Sequence, residues 1–340
     1  MKQPAKTDIA VLLLFFNRPE TFRQVFAAVK KARPSRLFLY QDGSRGPKDD
    51  AGVAACREIA SDENIDWECD VQRLYQTCNY GCDPSGFMSQ QWAFSLADKV
   101  MVLEDDVVPS QSFFPFCKEM LDRYENDERI EMVTGFNVDE VTPDVPYDYF
   151  FTSLFSIWGW ASWSRVIKER TDKYELMADD FNRHQLEMIL KLRNYRHDFM
   201  RMYRDHAQSG KAYFESIFWT NMLTNSRLAI MPTRNMINNI GATNDSTHYS
   251  ALKTMPRRLR RIFTMQRFDV SFPLRHPRYV MEYVPFKEHH YRVLGWGHPW
   301  IKVGRSFEEL FLNLRYGNFG FITRSLRRRI NKWMGKDRHV

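Results

Sequence analysis

Apolar positions follow two rhythms over the first third of the chain. Residues 9–16, IAVLLLFF, form an unbroken apolar run, and 36–42, RLFLYQD, form a second that ends on polar residues. Short continuous runs rich in Leu, Val and Phe mark strands buried on both faces. Between them Phe22, Val25, Phe26 and Val29 recur at helical intervals, which predicts a helix over 21–32 and therefore a β-α-β unit. The cycle then repeats. A helix is expected around 50–61, a strand in VQRLYQT (71–77), a turn-rich loop in CNYGCDPSG (78–86), a helix over 86–98 and a strand in KVMVLEDD (99–106). Such alternation predicts an α/β fold with a mostly parallel sheet covered by helices.

Further along, SFFPFCKEMLDRYEND (112–127) reads as a helix and RIEMVTGFNV (129–138) as a strand, followed by a dense aromatic stretch over 148–166. A long charged helical region is expected over about 165–210. AYFESIFWTNMLTN (212–225) has helical spacing, RLAIMP (227–232) reads as a strand, and NMINNIGATNDSTHY (235–249) as a polar loop rich in turn formers. From Ser250 the pattern loosens, with prolines at 256, 273, 277, 285 and 299, and it ends in a basic amphipathic helix. The division expected is one α/β domain over 1–250 and an extension over 251–340.

Ligands of open parallel sheets gather where strands end at their carboxyl edge. Three polar signatures fall at such ends: NRP (17–19), QDG (41–43) and EDD (104–106). Three adjacent carboxylates at the end of an apolar strand repel one another and resist dehydration, so they call for a divalent metal, an arginine or open solvent.

The chain has 340 residues, 44% of them hydrophobic and 15% aromatic, enough for one large core with an appendage. Its net charge of +7 favours an anionic partner without choosing among nucleotides, phospholipid surfaces and nucleic acid. Basic residues concentrate late, in RRLRR (257–261) and RSLRRRINKWMGK (324–336), while acids cluster in the first third. Nucleic acid is not the expected partner, and a nucleic-acid-binding protein is the less favoured alternative, because the charge is segregated from the aromatics of the first 250 residues and no recognised binding module is present. The five cysteines, Cys56, Cys69, Cys78, Cys82 and Cys117, lack a paired-doublet spacing and read as reduced thiols in a cytosol; Cys78 and Cys82 have no second Cys/His pair to complete a zinc site. The longest uncharged apolar run, 9–16, is far short of the roughly 20 residues that cross a bilayer.

The ordered motifs LLLFFNRPE, LFLYQDG, NYGC, VMVLEDDVVPSQSFFPF, SIWGWASW, FES and IMPTRNMINNIG…THY together resemble a bacterial GT-A-fold, nucleotide-sugar-dependent glycosyltransferase, similar in pattern to the N-acetylglucosaminyltransferase I type. The resemblance spans about residues 8–250. It implies a GT-A (Rossmann-like) mostly parallel central sheet flanked by helices, and transfer of a sugar, with inversion, from a nucleoside-diphosphate sugar, UDP favoured, to a glycan or lipid-linked glycan hydroxyl. The acidic triplet then corresponds to a DxD motif, whose carboxylates hold Mn²⁺ or Mg²⁺ against the diphosphate. By this resemblance Asp106 binds the metal, while Glu104 and Asp105 contact the donor sugar, the ribose or metal-bound water. Asp42 meets the nucleobase and Arg18 a phosphate, with Pro19 opening a helix whose N-terminus also favours anions. Asn79 and Gly81 shape a loop near the nucleotide.

The family's catalytic base lies a fixed distance before a strand ending in proline, and counting back from Pro232 reaches Glu215. The match departs from the family pattern: the acid is Glu, Phe214 replaces the usual Trp, and Trp219 falls one place late. Asp179 and Asp180 are the neighbouring alternatives. The resemblance assigns His248 to the metal or the diphosphate, with Asn239 and Gly241 setting its loop. It places Trp158, Gly159 and Trp160 by the donor sugar, Gly159 allowing close backbone approach and an indole packing on the sugar's C–H face, whereas Trp163 reads as core. The tail over 307–335 has the composition of a helix on an anionic membrane surface, or of a solvated helix packed on the catalytic domain. A non-catalytic nucleotide-sugar binder or assembly protein is the alternative reading.

Overall fold

The computed structural model describes residues 2–170, 173–192, 196–211, 213–242 and 252–323. Strand β1 (Thr7–Phe15) leads through α1 (Pro19–Ala32) into β2 (Pro34–Gln41), and α2 (Pro47–Ile59) connects β2 to β3 (Asp70–Tyr75). After α3 (Cys82–Leu96), β4 (Lys99–Glu104) runs beside β1 on the side away from β2. All three pairings are parallel, with Val11 opposite Leu37 on one flank and Met101 on the other. The apolar runs are buried throughout: Val11, Leu12, Leu13, Phe38, Leu39, Met101 and Leu103 have no solvent exposure. Each such side chain contributes about 1.5–3 kcal/mol by leaving water, which is why the runs cannot tolerate polar interruptions until their ends.

The next elements are β5 (Val107–Pro109), α4 (Phe113–Arg123), β6 (Ile130–Thr134), β7 (Tyr149–Thr152), β8 (Trp160–Trp163), α5 (Ser164–Lys168), α6 (Asp180–Leu192), α7 (Arg196–Ser209), α8 (Phe214–Thr224), β9 (Leu228–Pro232) and β10 (Ile237–Asn239). The large sheet has the order β3-β2-β1-β4-β8-β6-β9-β7. Strand β8 lies antiparallel between β4 and β6, β9 runs parallel to β6, and β7 closes the edge antiparallel to β9. Six of the eight strands therefore point the same way, and the fold class expected from the alternating pattern is the one observed.

One feature departs from that pattern. Strand β10 forms within the stretch expected to be a polar loop, pairing antiparallel with β5 so that Asn239 faces Val107. Three residues are too few to show a period, and the pairing is set by the segment beyond β4, where the Ile240 N–H also bonds to the Asp106 carbonyl at 2.8 Å. The charged helical region expected over 165–210 contains α5, α6 and α7.

The chain laid β2 and β3 on one side of β1 before crossing back to place β4 on the other. This reversal makes the carboxyl ends of β1 and β4 a topological switch point, where an open sheet leaves a crevice between diverging connections. NRP lies just past β1 and EDD closes β4, so the two motifs share that crevice.

By internal packing the chain forms two compact units, Met1–Gly241 with Met265–His290, and Ala242–Thr264 with Tyr291–Val340. The first holds the sheet. The second includes α9 (Arg257–Ile262) and, after α10 (Val284–Leu294), α11 (Pro299–Arg315). Among the described residues no helix is long and apolar enough to cross a membrane.

Candidate active site

Of the partners that the acidic triplet called for, an arginine is present. Arg18, just beyond β1, pairs with Asp105 and reaches Asp106 Oδ2 at 3.0 Å. Asp105 also accepts the Phe16 N–H at 3.2 Å, tying the ends of β1 and β4 together. Burial pushes the Asp105 carboxyl up to about 6, against the pull of Arg18 and with a further push from Asp106. Glu104 is raised well above the ordinary carboxylate range, first by burial and then by repulsion from Asp106, Asp105 and Glu215. Among the described residues one guanidinium pairs with two of the three carboxylates, and the cluster is short of positive charge.

Asp106 is nearly buried, and among the described residues its Oδ1 has no hydrogen-bond partner. Its other oxygen is pressed against the backbone after β10: a Cβ added to Gly241 would stand 1.9 Å from Oδ2. Asn239 Oδ1 accepts the Gly241 N–H at 2.9 Å and fixes that turn. An unsatisfied carboxylate oxygen beside two further acids suits a hard divalent cation. Among the described residues no group of three or more Cys, His, Asp or Glu side chains is arranged to hold an ion alone, so such a cation would draw part of its shell from its ligand.

Asp42 closes β2 and is saturated by its own neighbourhood. Oδ1 accepts the N–H groups of Gly43 and Tyr80, and Oδ2 accepts those of Gly81 and the Asn79 side chain, all at 2.9 Å. Asn79 also donates to the Gly43 carbonyl at 2.7 Å. These bonds fold loop 78–81 back over the end of β2. Gly43 is needed there because a Cβ would come within 2.4 Å of the Cys78 carbonyl carbon.

Glu215 lies in the first turn of α8. That turn is held on α3 by Phe214, whose ring sits 2.7 Å from where a Cβ on Gly86 would be. It is braced from behind by Ser216 Oγ, which meets His206 Nδ1 at 2.9 Å and the Tyr174 hydroxyl at 3.2 Å. Glu215 is exposed to solvent at the start of α8, with the surrounding protein crowding its carboxyl. The surrounding protein, with Asp83 adding to it, pushes its carboxyl up to about 7. The exposed Cys82 thiol, at the start of α3, is pushed up to about 12 by the surrounding protein and then by the charges of Glu104, Asp83, Glu215 and Asp105. The alternatives to Glu215 serve α6 instead: Asp179 accepts from the backbone and side chain of Asn182, and Asp180 pairs with Arg183.

Trp158 is half-buried, its ring edge-to-face with Phe136 at 4.8 Å. Gly159 has a left-handed φ of +67°, and a Cβ there would meet Ile237 Cδ1 at 2.4 Å, so packing and backbone both demand glycine. Trp160 is a correction to the sugar-pocket expectation: in β8 it has no exposure and packs between Phe94 and Phe218. Both faces of β8 are covered, so neither direction of the strand's alternation leaves an indole to solvent there. Trp163 is buried with its Nε1–H on the Leu121 carbonyl at 3.0 Å. His248 lies outside the described residues.

Sequence reasoning did not single out Asp83, nor the Tyr174–Ser216–His206 brace behind Glu215. Asp83 had a local signal in the CDPSG loop; the brace joins positions distant in sequence and had none.

No protein-family model matches the chain, and no curated protein matches its sequence. Among solved structures it is similar to UDP-glucose pyrophosphorylase complexed with UDP-glucose, at 8% identity over 68% of this chain and 93% of that one, with a TM-score of 0.33. It is also similar to mouse xyloside xylosyltransferase 1 in its apo form, at 11% identity over 48% and 69% of the two chains, TM-score 0.28. A third is the inositol-1-phosphate CTP transferase from T. maritima, at 13% identity over 49% and 74%, TM-score 0.27. What the chain does must therefore be read from its own residues.

Proposed function

We propose that the chain is a metal-dependent, inverting glycosyltransferase of the GT-A type, similar to the N-acetylglucosaminyltransferase I type, acting at the crevice between β1 and β4. The observation that carries this reading is the meeting of Arg18, Asp105 and Asp106 at the switch point, with Asp106 Oδ1 unpartnered and Glu104 and Glu215 close enough to repel. A Mn²⁺ or Mg²⁺ held there by Asp106 would neutralise charge on a nucleoside diphosphate as it leaves. Arg18, one-third exposed, can turn from the acids to a phosphate oxygen without leaving the crevice. Glu104 and Asp105 line the position of the donor sugar and ribose, and His248 is proposed to close over the diphosphate. Asp42 acts on the nucleobase side through the loop it holds, with Asn79 at the loop's surface; Trp158 and Gly159 border the sugar.

Glu215 takes the proton from the acceptor hydroxyl. The acceptor oxygen forms a bond to the anomeric carbon on one face while the carbon–oxygen bond to the diphosphate breaks on the other, its electron pair leaving with the phosphate. A carboxyl shifted up to about 7 is half-ionised near neutrality, where a general base is most effective. The acceptor proposed is a glycan or lipid-linked glycan hydroxyl presented at the cytoplasmic face of a membrane during surface polysaccharide assembly.

A thermal-shift panel of UDP-, GDP- and dTDP-sugars, with and without Mn²⁺, tests this reading in the parent and in Asp106→Ala. A donor at about 100 times its dissociation constant stabilises by about 2.7 kcal/mol, or about 5 °C or more for a domain of this size. A Mn²⁺-dependent shift with one donor that disappears in the variant is the expected result. No shift with any donor would sink the proposal.

A further inference from the structure

Helix α11 is amphipathic in the reverse sense to a helix on a soluble core. Trp300, Val303, Phe307, Leu310, Phe311 and Leu314 are all exposed, Trp300 at 82% and Phe307 at 68%. At 3.6 residues per turn these six fall within an arc of about 100°. The opposite side carries Lys302, Arg305, Glu309 and Asn313, and it is the side turned inward: Asn313 has no exposure, and Arg305 donates to the backbone carbonyls of Val293 and Leu294. Past the helix end Tyr316 and Phe319 extend the exposed apolar series. Packing has satisfied the polar face and left the apolar one to water.

Charge selects what covers it. The unit that contains α11 has sixteen Lys and Arg against four Asp and Glu, a net charge of +12, whereas the rest of the chain carries −5. A second copy would set +12 against +12. An anionic surface is complementary, and exposed aromatics flanked by arginines, including RRLRR of α9, suit one that is apolar beneath its charge. We propose that the exposed face of α11 lies in the interfacial layer of an anionic lipid bilayer, its Trp and Phe side chains entering the headgroup boundary while the surrounding arginines and lysines hold the lipid phosphates.

The test uses the full chain and sedimentation with vesicles of phosphatidylcholine, with or without a third of phosphatidylglycerol. Co-sedimentation with the anionic vesicles is expected. The pair Phe307→Asp and Phe311→Asp should lower partitioning by at least about tenfold, with the melting temperature unchanged because both side chains are already in water. Nucleotide-sugar shifts should be the same in this pair as in the parent, which keeps the result separate from the fate of the transferase reading. The proposal is overturned if the parent stays in the supernatant with anionic vesicles, or if the double variant sediments like the parent. A concentration-dependent dimer in the parent that the pair abolishes would also overturn it, assigning the face to a second copy.

Discussion

Glu215→Gln should raise stability and destroy catalysis in the same molecule. The carboxyl is pushed from its ordinary 4.5 up to about 7, by burial first and by Asp83 second. A folded-state pKa above the unfolded one means that the native protein holds the proton more tightly. Stability from this group is therefore present below about pH 4.5 and lost as pH rises through 7. The full shift would correspond to about 3 kcal/mol at pH 8, and because Glu215 is exposed, solvent screening reduces this to about 1 kcal/mol. Glutamine keeps the shape and removes the charge, so at pH 8 the variant should melt about 2–4 °C higher than the parent. Its rate of UDP release from the donor, with water or a saccharide as acceptor, should fall by about 10²–10⁴-fold. In the parent the ionised fraction of Glu215 rises about tenfold between pH 6 and pH 8, and kcat/KM should climb with it and level off above pH 8. A parent profile that is flat from pH 5.5 to 8, or a variant that keeps a third of the rate, would refute the assignment of the base. A variant that melts lower would refute the account of the raised carboxyl.

Gly241→Ala puts a methyl group where Asp106 Oδ2 stands and must displace that carboxylate. Calorimetric titration should show the Mn²⁺-dependent affinity for donor falling at least about tenfold, and unchanged affinity would show that the position of Asp106 is immaterial. Arg227→Ala tests the core beneath. Arg227 pairs with Glu131, which is completely buried in β6, and with Glu169. Stranding the Glu131 carboxylate should cost about 3–5 kcal/mol, a fall of about 10 °C in melting temperature; a fall of less than 3 °C would mean that the network is dispensable.

The chain's local patterns determined the elements that local physics can specify. Continuous apolar runs over 9–16 and 100–103 could be satisfied only as strands covered on both faces, the helical spacing of Phe22, Val25, Phe26 and Val29 could be satisfied only as a helix after the first, and the polar residues that end the runs marked the rim. Those choices depend on neighbours a few residues apart. Tertiary structure decided what depends on pairing across the chain. It inserted β8 antiparallel beside β4 and so sent Trp160 into the core; it paired β10 with β5 and so brought Gly241 onto Asp106; it saturated Asp42 with donors from a loop nearly 40 residues away. For α11 a helical period cannot say which face packs inward, because that depends on which partners Arg305 and Asn313 find. For the same reason EDD announced a need for positive charge, and only the folding of β1 against β4 made Arg18 the residue that answers it.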